Sequence, residues 1–384
     1  MNQFPEKLAK IVATRKNEQT FRQFSAIDGR IDFLSNDYLG FAKNETLFSK
    51  TFQLLLNEGI ACNGSGGSRL LSGNHKLYTI LEPLLASFYK AERALVFNSG
   101  YDANMGFFSA VPQRGDLIFY DKLIHASIRE GIRMSNAKAY HFSHNDIDDL
   151  KKKILLNKAL LVEGANIYVV TESVFSMDGD TPDLKAIATY TKTNGYYLIV
   201  DEAHAVGIYG TNGEGIVPKL KLEQNVFARI VTFGKAYGCH GAAVLGSKEL
   251  CDYLINFAKP FIYSTALTPH TLATIISAHE FFKVSGKEEV EKLTKNITYF
   301  KKELKSQRLQ EHFIESDSAI QSCIITGAEK TKSVAAKLME KGFGVKAILS
   351  PTVPEGQERL RFCIHSYNSK EELGLGIKLL STYL

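Results

Sequence analysis

The five cysteines of this chain, Cys62, Cys239, Cys251, Cys323 and Cys363, are odd in number, scattered, and never paired as C-x-x-C. That excludes a disulfide framework and reads as reduced, mostly structural thiols in a cytoplasmic protein, with no metal site expected. No apolar run approaches the ~20 residues needed to cross a bilayer. The polar start MNQFPEKLAKIVATRKNEQT reads as a short amphipathic helix, not a signal peptide. The Gly-rich stretch CNGSGGSRLLSGNH fails the G-x-G-x-x-G pattern, because Arg69 stands where the last glycine belongs. No nicotinamide-binding turn is supported. Nor is there a G-x-x-x-x-G-K-[ST] loop, since Lys235 follows Gly234 but precedes Ala236. There are no internal repeats and no low-complexity linkers.

What is present is an ordinary globular balance. The 384 residues are 45% hydrophobic and 23% charged, with a mean hydropathy of -0.10. That is enough for a large core and a second, smaller domain. After the N-terminal helix, Ile31 to Ala42 reads as a strand and a tight turn, and Glu45 to Asn57 as a helix. From Thr79 the pattern alternates: helices at Thr79–Tyr89, from near Asp102, and at Ile124–Met134, Ile147–Leu155 and Asp183–Thr193. Between them lie apolar strands at Ala94–Phe97, Asp116–Tyr120, Ala139–Phe142, Ile167–Glu172, Tyr196–Asp201 and Ala228–Phe233. Near-continuous apolar strands separated by helices indicate a mostly parallel sheet covered on both faces. Past about residue 255 the cadence changes. One long helical region, Pro269–Val284 and then Glu288–Gln307, precedes strands near Ile320–Ile325 and Arg359–Ile364. The expected division is an N-terminal segment 1–45, a large domain 46–268 and a smaller C-terminal α+β domain 269–384.

Ligands of such sheets collect at the carboxyl ends of the strands. Ser99, His125, Ser176, Asp201, His204 and Lys235 all fall at or just beyond such ends. Lys235 stands where a buried strand opens into a Gly-rich turn, which can hold its amine in a partly dry pocket as a nucleophile. An amine facing a carbonyl forms a Schiff base, and the cofactor that depends on this is pyridoxal phosphate. That cofactor needs N–H groups at a helix N-terminus for its phosphate, which Ser99-Gly100-Tyr101 can supply. It also needs a carboxylate facing its ring nitrogen, and Asp201 ends an apolar strand where an unpaired carboxylate is expensive. Singly, each has a plainer reading: Lys235 in a surface turn, Asp201 as a helix N-cap, His125 and His204 as structural histidines.

Taken together, SNDYLGFA, GSGGSRLLSGNH, NSGYDAN, DKLIHASI, TESVFSMDGD, DEAHAVG, TFGKAYG, FIYSTAL and SPTVPEGQERLRF resemble the α-oxoamine synthases, in order, from about residue 31 to 370. The resemblance implies a pyridoxal-phosphate-dependent transferase of fold type I, the aspartate-aminotransferase-like α/β architecture. It implies that Lys235 carries the cofactor, Asp201 faces the pyridine nitrogen, His204 the phenolic oxygen, and His125 stacks on the ring. Ser99, Gly100, Tyr101 and Thr232 would contact phosphate and ring, with Ser176 beside the cofactor. Arg361 would hold the amino acid carboxylate through its bidentate fork, and Asn36 and Arg22 would touch substrate. Thr265 would reach the phosphate of a neighbouring subunit, since the family works as a homodimer. The reaction implied joins an amino acid to an acyl thioester, carried by CoA or acyl carrier protein, with loss of thiol and usually CO2. In length and in the SPTVPEGQERLRF block the chain most resembles the branch of this family that uses L-alanine and a pimeloyl thioester, which the resemblance therefore implies as substrates. The departure His365-Ser366-Tyr367-Asn368 leaves other amino acids and acyl chains open. A formal charge of +5 suits an anionic substrate such as an acyl-CoA; no nucleic-acid motif accompanies it.

Overall fold

The structure, a computed structural model, describes residues 4–18, 20–22, 24 and 29–384. Residues 1–3, 19, 23 and 25–28 of the expected N-terminal segment lie outside the described residues. The chain divides into two compact units, one of residues 36–176 and 180–291, the other of 1–35, 177–179 and 292–384. Residues 36–45 and the helix at 269–281 therefore belong to the larger unit, not to the flanking segments into which the sequence divides them.

The larger unit is built on seven strands: β1 (Arg93–Phe97), β2 (Leu117–Asp121), β3 (Lys138–Phe142), β4 (Ile167–Glu172), β5 (Tyr197–Asp201), β6 (Ala228–Thr232) and β7 (Ala242–Gly246). Their order across the sheet is β1-β7-β6-β5-β4-β2-β3. All run parallel except β7, which is antiparallel to β1 and β6. The inner strands bury both faces, as their apolar runs require, while the edge strand β3 is largely uncovered. In β4, Tyr168 and Val170 join one core with Phe107, Phe108 and Ile230, while Ile167 and Val169 join the other with Leu198, Val200 and Ile187. Each fully buried side chain of this size contributes roughly 1.5–3 kcal/mol.

The antiparallel β7 is the strand of this sheet that the sequence reading does not include. Ala242–Gly246 carries a single β-branched residue, Val244, beside two alanines, and its pairing with β1 and β6 makes it a strand. The connection from β6 to β7 is correspondingly tight. Cys239 N donates to Phe233 O at 2.7 Å, and Gly238 N to Lys235 O at 2.8 Å. Gly238 has a φ of +59°, and a Cβ there would overlap the main chain of Ala42. Only glycine suits that position. The Gly-rich loop before the sheet is likewise fixed by Arg69, whose guanidinium bonds Glu82 and Asn74 and lies 3.8 Å over the ring of Tyr78.

The long helical region expected at 269–284 and 288–307 is one continuous run. Phe282–Gly286 is a π turn joining Pro269–Phe281 to Lys287–Ser306. Gly286 lies against the Phe282 ring, where a Cβ would overlap it.

The smaller unit holds a three-stranded antiparallel sheet, ordered Lys346–Ile348, Arg359–Cys363, Ile320–Ile324. Helices Ala328–Glu340 and Lys370–Tyr383 accompany it. The latter starts with a capping box between Ser369 and Glu372. Of the expected strand in Ile31–Ala42, only Ile31–Asp32 is extended, paired parallel with Phe343–Gly344. Phe33 follows it into the unit's core, against the rings of Phe343 and Phe362.

Candidate active site

In the parallel strands, Asp121, Glu172, Asp201 and Thr232 all end at the same edge of the sheet. Just beyond that edge the larger unit contains a cavity of about 260 Å³. Nine of the residues singled out in the sequence line it: Asn36, Ser99, Gly100, Tyr101, His125, Asp201, His204, Thr232 and Lys235.

Each is held there by its element. Ser99 caps the helix Gly100–Ala110 (α1), its Oγ accepting from Asp102 N at 3.1 Å. The first N–H groups of α1 have no intrahelical acceptor and carry the positive end of the helix dipole. Gly100 lets the helix start close to β6: a Cβ there would stand 2.6 Å from Thr232 Cγ2, which would have to move. His125 caps the next helix, Ala126–Met134 (α2), its Nδ1 accepting from Ser127 N at 3.2 Å. Asp201 Oδ1 accepts from Ala203 N at 2.9 Å, and its Oδ2 from Asn104 Nδ2 at 3.0 Å. His204 Nδ1 is 2.8 Å from the hydroxyl of buried Tyr38. Lys235 Nζ donates to Thr232 Oγ1 at 3.2 Å, which draws the lysine head back over the end of β6.

Among the lining residues that the sequence reading does not single out are three buried polar ones, Asn104, Ser127 and Glu172. Asn104 stands within the quoted NSGYDAN and Glu172 within TESVFSMDGD, but nothing local distinguishes them from surface polar residues. Their signal is burial, which only packing supplies. Glu172 ends β4 in register with Asp201 on β5, and its Oε1 accepts from His125 N at 2.5 Å. Burial, reinforced by the neighbouring Asp201 charge, pushes the Glu172 carboxyl well above the usual carboxylate range. Burial also pulls the His125 imidazole below its ordinary value, against the attraction of Asp201.

The remaining expected residues stand elsewhere. Ser176 is not among the cavity's lining. Thr265 is also absent from it; its carbonyl accepts from Asn98 Nδ2 at 2.7 Å, and it forms an isolated bridge with Ser68. Arg361 is buried on the central strand of the smaller unit, with Nη1 3.0 Å from Cys363 Sγ. Arg22 lines a separate cavity of about 580 Å³ in that unit, together with Arg15, Arg30, Lys332 and Lys346. No acidic side chain lines it among the described residues.

The cavity in the larger unit fits pyridoxal phosphate on its own donor set. It combines a primary amine, two buried acids, three imidazoles and a helix N-terminus that begins with Gly100. Asn104 Oδ1, buried with no hydrogen-bond partner, is an orphan of the kind a bound group relieves.

Comparison with known proteins agrees with this chemistry. The model of aminotransferase class I and II matches residues 29–376. The 8-amino-7-oxononanoate synthase of Emericella nidulans is 40% identical over 375 residues, covering 92% of this chain and 89% of that one. Among solved structures, Sphingomonas wittichii serine palmitoyltransferase superposes with a TM-score of 0.89 at 25% identity, covering 100% of this chain and 98% of that one. The 8-amino-7-oxononanoate synthase from Francisella tularensis gives 0.77 at 30% identity, over 92% and 98%. The chain therefore belongs to the aminotransferase class I and II family, and is a pyridoxal-phosphate-dependent acyltransferase similar to the 8-amino-7-oxononanoate synthases.

Proposed function

We propose that this chain condenses L-alanine with a pimeloyl thioester, of CoA or acyl carrier protein, to give 8-amino-7-oxononanoate, free thiol and CO2. The observation that carries the reading is the convergence of Lys235, Asp201, His204 and His125 on one cavity, in a chain 40% identical to a synthase of that name. Pyridoxal phosphate, when bound, supplies the electron sink that makes a carbanion at the amino acid Cα accessible and assists loss of CO2.

The chain's residues divide the rest of the work. The N-terminus of α1, with Ser99, Gly100 and Tyr101, binds phosphate. Asp201 keeps the proton on the ring nitrogen, and His125 covers the ring. His204, its Nδ1 occupied by Tyr38, offers Nε2 to the phenolic oxygen. Lys235 holds the cofactor at rest and, once released, takes the Cα proton as general base. Arg361 grips the substrate carboxylate. Arg22 and the basic residues around it suit an anionic acyl group. In the family's manner the enzyme works as a cytoplasmic homodimer, with Thr265 reaching the partner's site and Ser176 and Asn36 beside cofactor and substrate.

Backbone fit and sequence identity point to different substrates, since the palmitoyltransferase superposes better and the oxononanoate synthases share more residues. Substrate choice resides in side chains, so identity is the better guide. His365 also supports alanine. It is fully buried, with Nε2 3.0 Å from Ser35 O and Nδ1 3.3 Å from Asn368 Oδ1, so it adds no free polar group to a ligand site. Titrating the holoenzyme with alanine, glycine, serine and cysteate while following the visible band should single out alanine. Pimeloyl-CoA should then release thiol and CO2. A saturating response to serine with palmitoyl-CoA turnover, and none to alanine with pimeloyl-CoA, would assign the chain to the lipid-forming reaction.

A further inference from the structure

Behind the cavity wall a run of short polar contacts links two residues that the reaction uses separately. Asn104, on α1, directs its amide nitrogen to Asp201 Oδ2 at 3.0 Å and to Ser127 Oγ at 3.0 Å. Ser127 Oγ in turn lies 2.7 Å from His125 Nδ1. Asn104 is 2% exposed and Ser127 wholly buried, so no solvent competes for these groups. The two helices are close enough for this because Gly131 of α2 lies against the main chain of Asn104 and Met105, where a Cβ would meet Asn104 O at 2.9 Å.

The chain of contacts has one direction. The reverse amide orientation would set Asn104 Oδ1 against the Asp201 carboxylate, two acceptors facing each other in a dry site. The NH2 group therefore gives one hydrogen to Asp201 and the other to Ser127 Oγ. With that lone pair engaged, the Ser127 hydroxyl hydrogen turns to His125 Nδ1. The Ser127 main-chain N–H points at the same nitrogen from 3.2 Å. Two donors meet at Nδ1, which leaves no place for a proton on it. Glu172 fixes the residue from the other side by accepting from His125 N.

We propose that Asn104 and Ser127 are positioning residues: they run a directed hydrogen-bond chain from Asp201 to His125 and hold that imidazole neutral, with its N–H on Nε2. His125 thus offers the cavity a neutral donor that an oxygen of a bound ligand can use, not a cation and not a base at Nδ1. The groups facing the ring act in both directions. Asp201 draws a proton towards it, Lys235 repels one, and burial pushes the neighbouring Glu172 carboxyl towards its uncharged form. Burial opposes the imidazolium in any case; the donors at Nδ1 decide which nitrogen carries the proton.

The inference rests on the cofactor-site reading only for its use in the reaction; the state of the ring is open to measurement without any substrate. ¹⁵N-histidine-labelled chain, with and without pyridoxal phosphate, would be titrated by NMR, with His125→Asn identifying the resonance. The wild-type ring should show the Nε2–H form through neutral pH. Ser127→Ala, which removes one donor, should raise the His125 titration by roughly half to one pH unit. Asn104→Asp, which replaces both amide donors with acceptors, should raise it further. If Asn104→Asp fails to fold, Ser127→Ala decides alone. An Nδ1–H form in the wild type, or variants that titrate His125 as the wild type does, would overturn the proposal. Neither outcome depends on whether alanine or another amino acid is the substrate.

Discussion

Asp201 and Glu202 are neighbours in the sequence, yet their surroundings differ in kind. Glu202 is fully buried and saturated. Its Oε1 accepts from Ile216 N and Val217 N at 2.7 and 2.9 Å, and its Oε2 from Arg229 Nε at 2.6 Å. Arg229 continues to Tyr89 O and Glu214 O, so every charge on that side has a fixed counterpart. Asp201 receives only two neutral donors and faces the cavity. A buried carboxylate without a cation is costly unless something arrives to neutralise it. The difference teaches which of two adjacent acids holds the fold and which is kept for a ligand.

The comparison breaks most visibly on the structural side. Replacing Arg229 with Met should cost about 3–5 kcal/mol in urea unfolding, because Glu202 is left buried and unpaired. A loss below about 1 kcal/mol would mean that the network contributes little beyond packing.

The same contrast, between a charge with partners and a group held neutral, extends to two histidines of the larger unit, His144 partly buried and His279 fully buried. His144 lies between Asp121 and Asp180, at 2.9 and 2.8 Å. Burial works against its charge, but those two carboxylates outweigh it and push its pKa up to about 10. His279 is packed among Tyr237, Phe233 and Tyr89, and burial pulls it down to about 4. The signs are opposite. His144, raised above the unfolded value of about 6.5, stabilises fully below that pH and loses its contribution as pH rises towards 10. His279, depressed, takes up a proton more readily when unfolded, so stability falls as pH drops from 6.5 towards 4, by on the order of 3 kcal/mol. Urea midpoints against pH should show both slopes. His144→Gln should flatten the alkaline one and leave the acid one, and an unchanged alkaline slope would remove His144 from this role.

A smaller energy, but the one that matters for function, attaches to Asp201. Asp201→Asn should unfold nearly as the wild type does and still bind cofactor. Its turnover should fall at least tenfold, since a charged hydrogen bond of about 1.5–3 kcal/mol is lost where about 1.4 changes a rate tenfold. An unaltered rate with cofactor bound would show that this carboxylate does not hold the ring proton.

How far this arrangement is legible in the sequence depends on whether its cause is local. Ile167–Glu172 and Glu45–Asn57 span the residues their patterns predict, because β-branched runs and an Asn44 cap act within a few residues. Lys235, Asp201 and His125 are legible because strand ends announce themselves by a change from apolar to polar. Asn104 and Ser127 are not, since their partners lie 97 and 23 residues away from Asn104 and only the packing of α1 on α2 joins them. β7 is hidden for the same reason. Its Ala-rich sequence becomes a strand through neighbours, not through its own preference.

The central claim is that the cavity holds pyridoxal phosphate on Lys235. Reduction of the holoenzyme with borohydride, proteolysis and mass spectrometry test it most directly. The account predicts the reduced cofactor's mass on the peptide containing Thr232-Phe233-Gly234-Lys235, and neither that adduct nor the visible band in Lys235→Ala. The adduct on another lysine, or a Lys235→Ala enzyme that keeps the band and its turnover, would contradict it.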